Sequence, residues 1–383
     1  MKIISVVGAR PNFMKIAPFI RAIEAHNAQE GVEPIEHLLV HTGQHYDDRM
    51  SKVFFESLEI PPADIHLGIG SGSHAEQVGQ TMIAFEKVLQ EHRPDWVVVV
   101  GDVNATLACS VTAKKEGIKL CHIEAGLRSG DMLMPEEINR LVTDRLSDLL
   151  LTPDEMAVEN LREEGVPDEK IRFVGNIMID TLETQRAKAE ALEIDAIVRE
   201  NLLETREILE IPDTFSLVTL HRPSNVDDSK ILGDIVTFLL NEVAKERTLI
   251  WPIHPRTQKR LQEFGLWEAV RFHPGVILLH PLGYHEMLRL NMAAYAMFTD
   301  SGGLQEECCV LGTPCLTLRW NTERPVTLRE HGGASRLVGN DVQKIAQAYR
   351  ELHGMQRKPS RPKLWDGETA RRCVEALCSA TNG

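Results

Sequence analysis

The chain has 383 residues, room for two or three domains at ~100–200 residues each. It carries 42 Lys+Arg against 56 Asp+Glu, a net charge of −14, so neither nucleic acid nor an anionic membrane is expected as its main partner. With 43% hydrophobic and 26% charged residues the balance excludes wholesale disorder, and no apolar run, Trp96–Val100 among them, approaches the ~20 residues of a membrane span.

The N-terminal stretch turns to Gly8, Arg10 and Pro11 before a secretory apolar segment forms, which makes the cytoplasm the expected location. Continuous apolar runs at Lys2–Val7, Glu36–Thr42, Trp96–Val100, Lys119–Ile123, Leu149–Thr152 and Ile171–Val174 predict strands of a parallel sheet covered on both faces. Amphipathic segments Asn12–His26, His74–His92, Asn104–Glu116 and Pro153–Glu164 predict helices between them. Thr181–Glu210 is polar and charge-rich and reads as one long helical connector. The βα theme then restarts, with strands at Phe215–Leu220, Thr248–Ile253, Val276–Leu279, Ala296–Thr299 and Cys315–Leu318. The expected fold class is α/β: two Rossmann-like, doubly wound domains, residues 1–178 and 179–365, with a final helix over 366–383 returning to the first. The seven cysteines show no C-x-x-C pair and read as small core residues in a reducing compartment. No H-E-x-x-H or paired-cysteine spacing occurs, so no metal site is expected.

Ligands of open α/β sheets bind outside the carboxyl ends of the strands, and here those ends are polar or Gly-bearing. In the first half they are Gly8-Ala9-Arg10-Pro11-Asn12 with Lys15, Thr42-Gly43-Gln44-His45, Gly101-Asp102 and His122-Ile123-Glu124-Ala125-Gly126. In the second half they are His221-Arg222-Pro223, His254-Pro255-Arg256, His280-Pro281-Leu282-Gly283 and Asp300-Ser301-Gly302-Gly303. Carboxylates concentrate in the first half, and histidines, arginines and a Gly pair in the second.

Ser301-Gly302-Gly303, ahead of a predicted helix Leu304–Leu311, reads either as a diphosphate cradle or as an ordinary tight turn. Glu306 and Glu307 follow within one turn, where one of them can take ribose hydroxyls. Arg10 and Lys15 read as phosphate ligands or as a solvated face. Asp102 is either a helix N-cap for the segment from Asn104 or a carboxylate in use. Capping explains Glu124 less well, whereas Glu136 and Glu137 have the bland reading of first-turn dipole complements. Neither G-x-G-x-x-G after the first strand nor a P-loop is present, which argues against a nicotinamide or flavin dinucleotide enzyme and a P-loop kinase.

At Gly8-Ala9-Arg10-Pro11-x-x-x-Lys15, His122-Ile123-Glu124-Ala125-Gly126-Leu127-Arg128-Ser129-Gly130-Asp131, Pro135-Glu136-Glu137-x-Asn139-Arg140 and Asp300-Ser301-Gly302-Gly303-x-Gln305-Glu306-Glu307, the sequence resembles the non-hydrolysing UDP-N-acetylglucosamine 2-epimerases. The resemblance runs nearly end to end. It implies a GT-B-like arrangement with an interdomain cleft, interconversion of UDP-GlcNAc and UDP-ManNAc for cell-surface polysaccharide biosynthesis, a homodimer, and no cofactor. It further implies that Asp102, Glu124 and Glu136 are the acid/base carboxylates, with Lys15 and His221 assisting around the departing diphosphate. Arg10, Ser301, Gly302, Gly303 and Arg324 would hold UDP, Glu307 the ribose, and the loop from Leu282 to Met287 the uracil.

The sequence also departs from the family pattern. Asn12 replaces a frequent Glu, Pro223-Ser224 replaces Arg-Glu in the His221–Asn225 motif, and the stretch from Asp131 to Pro135 is short. Thr42–Asp47 and Pro281–Tyr284 look closer to relatives that epimerise a UDP-diacetamido uronic acid, whereas Thr322–Pro325 looks like the GlcNAc-type enzymes. Asp47 stands where a Gln belongs in the second, activating substrate site of some members.

A 2-acetamido sugar has no carbonyl beside C2, so simple loss of the C2 proton is prohibitively uphill. Expelling UDP from C1 while that proton leaves, through a 2-acetamidoglucal, avoids the problem. It requires proton-transfer groups, a cationic clamp and exclusion of water. The rival readings are a GT-B glycosyltransferase, a UDP-sugar sensor and a hydrolysing enzyme that releases ManNAc. The E-x7-E pattern of many retaining transferases fails, because Phe298 and Thr299 occupy the positions paired with Glu306 and Glu307. A sensor has no need of Asp102, Glu124 and Glu136 together.

Overall fold

Seven parallel strands form the first sheet: β1 (Lys2–Val7), β2 (Glu36–His41), β3 (Ile65–His66), β4 (Trp96–Val100), β5 (Lys119–Ile123), β6 (Leu149–Thr152) and β7 (Ile171–Phe173), in the order β3-β2-β1-β4-β5-β6-β7. Six more make the second: β8 (Phe215–Thr219), β9 (Thr248–Pro252), β10 (Val276–Leu279), β11 (Ala296–Thr299), β12 (Cys315–Thr317) and β13 (Ser335–Leu337), in the order β10-β9-β8-β11-β12-β13. The structure, a computed structural model, describes residues 1–8, 10–43, 59–204, 211 and 214–381. Both sheets start in the middle and wind outward in two directions, the doubly wound topology whose strand order reverses between the first and fourth strands.

The chain divides into two compact units, Met1–Thr184 with Pro362–Gly383, and Gln185–Arg361. The divides fall after Thr184 and Arg361, against 178 and 365 expected from the sequence. In the first unit, Phe85, Val88 and Leu89 of the helix His74–His92 and Cys109 and Ala113 of the helix Asn104–Lys115 pack on Ile4, Val6, Val97 and Val99. The alternate residues Ile3, Ser5 and Val98 are equally buried, so both faces of β1 and β4 are covered, as their largely apolar sequence requires. The second unit shows the same alternation. Val218, Leu249, Trp251, Ala296 and Phe298 enter one core cluster, while Phe215, Leu217, Ile250 and Met297 enter another; neighbouring residues of a strand point to opposite faces.

The C-terminal helix Thr369–Thr381 belongs to the first unit. Trp365 Nε1 donates to Pro153 O (2.9 Å), and Asp180 accepts from the backbone N–H of Thr369 and Ala370 at 3.1 and 2.7 Å. Those bonds satisfy two of the helix's otherwise orphaned donors.

Three sequence expectations need correction. The connector over Thr181–Glu210 is not one helix: a helix Ile177–Glu190 ends and a second, Ile194–Glu200, follows. The second turns Ile197 and Val198 into the core beside Phe215 and Leu217, so tertiary packing overrides a polar pattern; residues 205–210 lie outside the described ones. Strands β3 and β13 escaped notice because Ile65-His66 and Ser335-Arg336-Leu337 are broken by polar residues and make no apolar run. The predicted helix Leu304–Leu311 begins at Gly302, and the glycines are its first turn rather than a loop before it.

Candidate active site

The reversal point of the first sheet lies between the carboxyl ends of β1 and β4. Asn12, in the helix Arg10–Asn27 that follows β1, donates through Nδ2 to Val100 O (2.8 Å) and accepts from the Gly8 N–H (3.3 Å). One turn on, the Lys15 ammonium forms a buried ion pair with Glu124 Oε2. Gly101 makes room for this meeting. A Cβ there would lie 3.2 Å from both Asn12 Nδ2 and Lys15 Nζ, and 3.4 Å from Glu124 Oε2, at a φ of +69°.

Glu124 itself has a φ of +71°, a left-handed backbone that costs a non-glycine residue roughly 1–3 kcal/mol and tends to mark functional positions. The bend is held by Leu151 O, which accepts from the N–H groups of Glu124 and Ala125, both at 3.1 Å. Nothing in the sequence signals that strain.

Asp102 is no N-cap. The cap of the helix Asn104–Lys115 is Val103, which makes no side-chain capping bond. The Asp102 carboxylate is instead bound by Arg140, with Nη2 at 2.7 Å and Nε at 2.9 Å, while Asn139 Nδ2 donates to its carbonyl (2.8 Å). Arg140 also pairs with Glu137.

Glu136 and Glu137, alike in sequence, part company here. Glu137 is buried and accepts from Ser129 N, Ser129 Oγ and Gly130 N. Glu136 is half-buried, and its side chain makes no ion pair or hydrogen bond among the described residues. Sequence reasoning missed the anchoring roles of Glu137, Asn139 and Arg140, although Glu137 and Arg140 at helical i,i+3 spacing were the available signal.

Behind Glu124, the His122 ring lies between Asp144 Oδ1 (2.6 Å from Nδ1) and Gly101 O (2.9 Å from Nε2). Burial opposes ionisation of Asp144, but His122 and Arg128 outweigh it and hold its carboxyl below the usual range.

In the second unit the reversal point lies between β8 and β11. His221 and Arg222 follow β8, and Asp300 follows β11. The buried Asp300 carboxylate accepts from His221 N, Arg222 N and Asn225 Nδ2 and faces His221 Nδ1 at 2.9 Å. The His254 ring lies 5.5 Å from that of His221, centroid to centroid. Burial and the His221 ring pull the His254 imidazole below its ordinary pKa. His280, the third histidine of the expected cationic rim, is exposed.

Ser301 caps the helix Gly302–Leu311 without a side-chain capping bond. A Cβ on Gly302 would lie 2.7 Å from Glu323 Oε1 and 2.9 Å from Arg324 Nη1, whereas one on Gly303 would meet nothing within 4 Å. The helix start therefore offers N–H groups with open space at Gly303, a geometry suited to an anion.

Arg324 is buried, with Nε donating to Glu306 Oε1 (2.6 Å) and Nη1 paired with Glu323. Arg319 Nη2 holds the other oxygen of Glu323 at 2.6 Å. Burial, with the Glu306 charge next, pushes the Glu307 carboxyl up to about 7 against hydrogen bonding from Asn291 and Tyr284. Leu282 and Met287 are half-buried against the core cluster of Ile250 and Leu279.

The structure thus brings Lys15 and Glu124 into contact in one unit, and groups His221 with Asp300 and Gly302 with Arg324 in the other. The side chain of Arg10 and the stretch Gln44–Asp47 lie outside the described residues. No group of three or more His, Cys, Asp or Glu suited to a metal occurs among the described residues, and no helix among them is long and apolar enough to cross a membrane.

Two doubly wound sheets, each with polar groups gathered where its strand order reverses, define a two-unit α/β protein. The chain belongs to the UDP-N-acetylglucosamine 2-epimerase family, whose model matches residues 27–378. It is 41% identical over 378 residues to the UDP-N-acetylglucosamine 2-epimerase of Methanocaldococcus jannaschii, covering 98% of this chain and 99% of that one. The UDP-2,3-diacetamido-2,3-dideoxy-D-glucuronate 2-epimerase of Pseudomonas aeruginosa is 36% identical, covering 98% and 99%. A crystal structure of the Methanocaldococcus jannaschii UDP-GlcNAc 2-epimerase in complex with UDP-GlcNAc and UDP matches with a TM-score of 0.87 at 40% identity, over 99% of this chain and all of that one.

Proposed function

We propose that the protein interconverts UDP-GlcNAc and UDP-ManNAc by eliminating UDP and adding it back. The observation that carries this reading is the buried Lys15–Glu124 pair at the reversal point of the first sheet, in a chain that matches an epimerase containing UDP-GlcNAc and UDP over nearly its whole length.

A carboxylate among Asp102, Glu124 and Glu136 takes the C2 proton as the C1–O bond to the diphosphate breaks, giving the 2-acetamidoglucal and UDP. Another, protonated at the outset, returns a proton to the opposite face of C2 as UDP adds back to C1, and exchange of both carboxyl groups with solvent restores the starting state, so atoms and charge balance over the cycle. Lys15 and His221 offset charge on the departing diphosphate. Arg10, Ser301, Gly302, Gly303 and Arg324 hold the UDP, Glu307 the ribose, and Leu282 to Met287 the uracil.

Incubation with UDP-GlcNAc in deuterium oxide tests the route. Product carrying deuterium at C2 supports it, and product without exchange refutes it.

A second reading, epimerisation of a UDP-2,3-diacetamido uronic acid, is favoured by the 36% identity to the Pseudomonas aeruginosa protein. Nuclear magnetic resonance of the protein with each substrate decides between them. We also infer a cytoplasmic homodimer acting in cell-surface polysaccharide biosynthesis; sedimentation at micromolar concentration tests the dimer.

A further inference from the structure

The hydrogen bonding around Asp300 fixes more than the loop it sits in. The carboxylate is fully buried. Its Oδ2 accepts from His221 N (3.0 Å), Arg222 N (2.9 Å) and Asn225 Nδ2 (3.0 Å), while Oδ1 lies 2.9 Å from His221 Nδ1 and 3.2 Å from His221 N. A carboxylate that already receives several N–H donors has only lone pairs to offer a ring nitrogen. Burial opposes its ionisation, but the His221, Arg222 and Asn225 hydrogen bonds hold the Asp300 carboxyl below its ordinary range. The nitrogen facing it must then be the one that bears hydrogen, which leaves Nε2 of a half-exposed ring as the other. The charged and titratable neighbours are consistent with this. The Arg222 guanidinium is turned onto Asp300 O through Nε (2.9 Å). His254 accepts the Arg256 N–H on its own Nδ1 (3.1 Å), so when neutral it carries its proton on Nε2.

We propose that Asp300 is a positioning residue: its carboxylate keeps a proton on Nδ1 of His221, making Nε2 the nitrogen that takes up and donates a proton beside the diphosphate. The inference rests on the reading that His221 works next to the leaving diphosphate. It adds which nitrogen does so and what sets it. A proton gained by Nε2 forms an imidazolium that Asp300 stabilises through the existing Nδ1–H bond, and the proton is returned when UDP adds back. No other reactant enters.

The geometry also says what Asp300→Asn does. The amide oxygen must take the Oδ2 position to keep the Arg222 and Asn225 donors satisfied, so the NH2 falls at Oδ1 and faces Nδ1. Donor would then meet donor unless the ring proton moves to Nε2. The variant therefore keeps most of the loop's bonds and inverts the tautomer.

The test uses 15N-labelled full-length protein and long-range proton–nitrogen correlation of the histidine rings, with His221→Gln identifying the His221 signals. The expected result is a protonated Nδ1 in the wild type and a protonated Nε2 with bare Nδ1 in Asp300→Asn. Turnover of UDP-GlcNAc in that variant should fall at least about 10²-fold, more than KM changes, as happens when an orienting carboxylate is lost behind a working histidine. A bare Nδ1 on His221 in the wild type overturns the proposal, and this spectrum needs no variant to fold beyond the assignment control. Undiminished turnover in Asp300→Asn, with turnover lost in His221→Gln, overturns the inference while leaving His221 in the reaction. Undiminished turnover in His221→Gln removes His221 from the proposed function, and this inference with it.

Discussion

Lys15 and Glu124, 109 positions apart in the chain, meet as a buried ion pair where the strand order of the first sheet reverses. The carboxylate sits on a left-handed backbone whose N–H, with that of Ala125, donates to Leu151 O. Glu124→Gln should retain UDP binding within about threefold and lose turnover by about 10²-fold or more. Calorimetric titration with UDP beside a steady-state assay checks both halves; unchanged turnover removes Glu124 from the chemistry.

The adjacent glutamates of the helix Pro135–Leu146 should fail in opposite ways. Glu137 is buried with Arg140 and three donors from Ser129 and Gly130, so Glu137→Ala leaves a buried guanidinium half-paired and should cost about 3–5 kcal/mol. Glu136→Gln should leave unfolding within about 0.5 kcal/mol of the wild type while abolishing turnover. Urea unfolding alongside the epimerase assay separates the two.

Glycines 302 and 303 give a second contrast. Gly303→Ala meets no atom within 4 Å and should leave stability unchanged or raise it by about 0.4–1 kcal/mol, yet weaken UDP binding if a phosphate occupies that opening. Gly302→Ala crowds the Glu323–Arg324 pair and should lower both. Equal UDP affinity for Gly303→Ala and the wild type would place the diphosphate elsewhere.

Glu307 predicts a pH dependence. Its carboxyl is raised from 4.5 to about 7 by burial and by Glu306, so the folded protein binds a proton more tightly than the unfolded chain between those values. This group's contribution to stability is therefore full below about 4.5 and lost as pH rises through about 7. Glu307→Gln, which cannot ionise, should gain on the wild type between pH 5 and pH 8 by up to about 3 kcal/mol at ~1.4 kcal/mol per unit. Thermal unfolding at both values checks the sign.

The sequence showed its strands where burial on two faces forces unbroken apolar runs, as in Val97–Val100. It hid them at Ile65–His66 and Ser335–Leu337, where polar neighbours leave no apolar run, whereas the equally short β7 and β12 lie in the runs Ile171–Val174 and Cys315–Leu318. Glu124 and Lys15 were legible because they follow strands, and strand ends are where such sheets bind. The difference between Glu136 and Glu137 was not, since it arises from one step of rotation about a helix axis, which turns one side chain to Ser129 and Arg140 and the other away. Asp300 was visible as a motif letter only. Its donors come from residues 78 and 79 positions earlier, a separation that local pattern does not span.

The helix Thr369–Thr381 closes the first unit although it is the last element of the chain. During synthesis, which proceeds from the N-terminus at ~5–20 residues per second, residues 185–361 emerge as a whole unit while the earlier one still lacks this piece. Until Trp365 reaches Pro153 and Asp180 receives the Thr369 and Ala370 donors, the seven-stranded sheet is complete but lacks the helix that packs on Arg10–Asn27 and β6. A chain cut short after Arg361, 383 − 361 = 22 residues early, would hold a finished second unit tethered to an unfinished first.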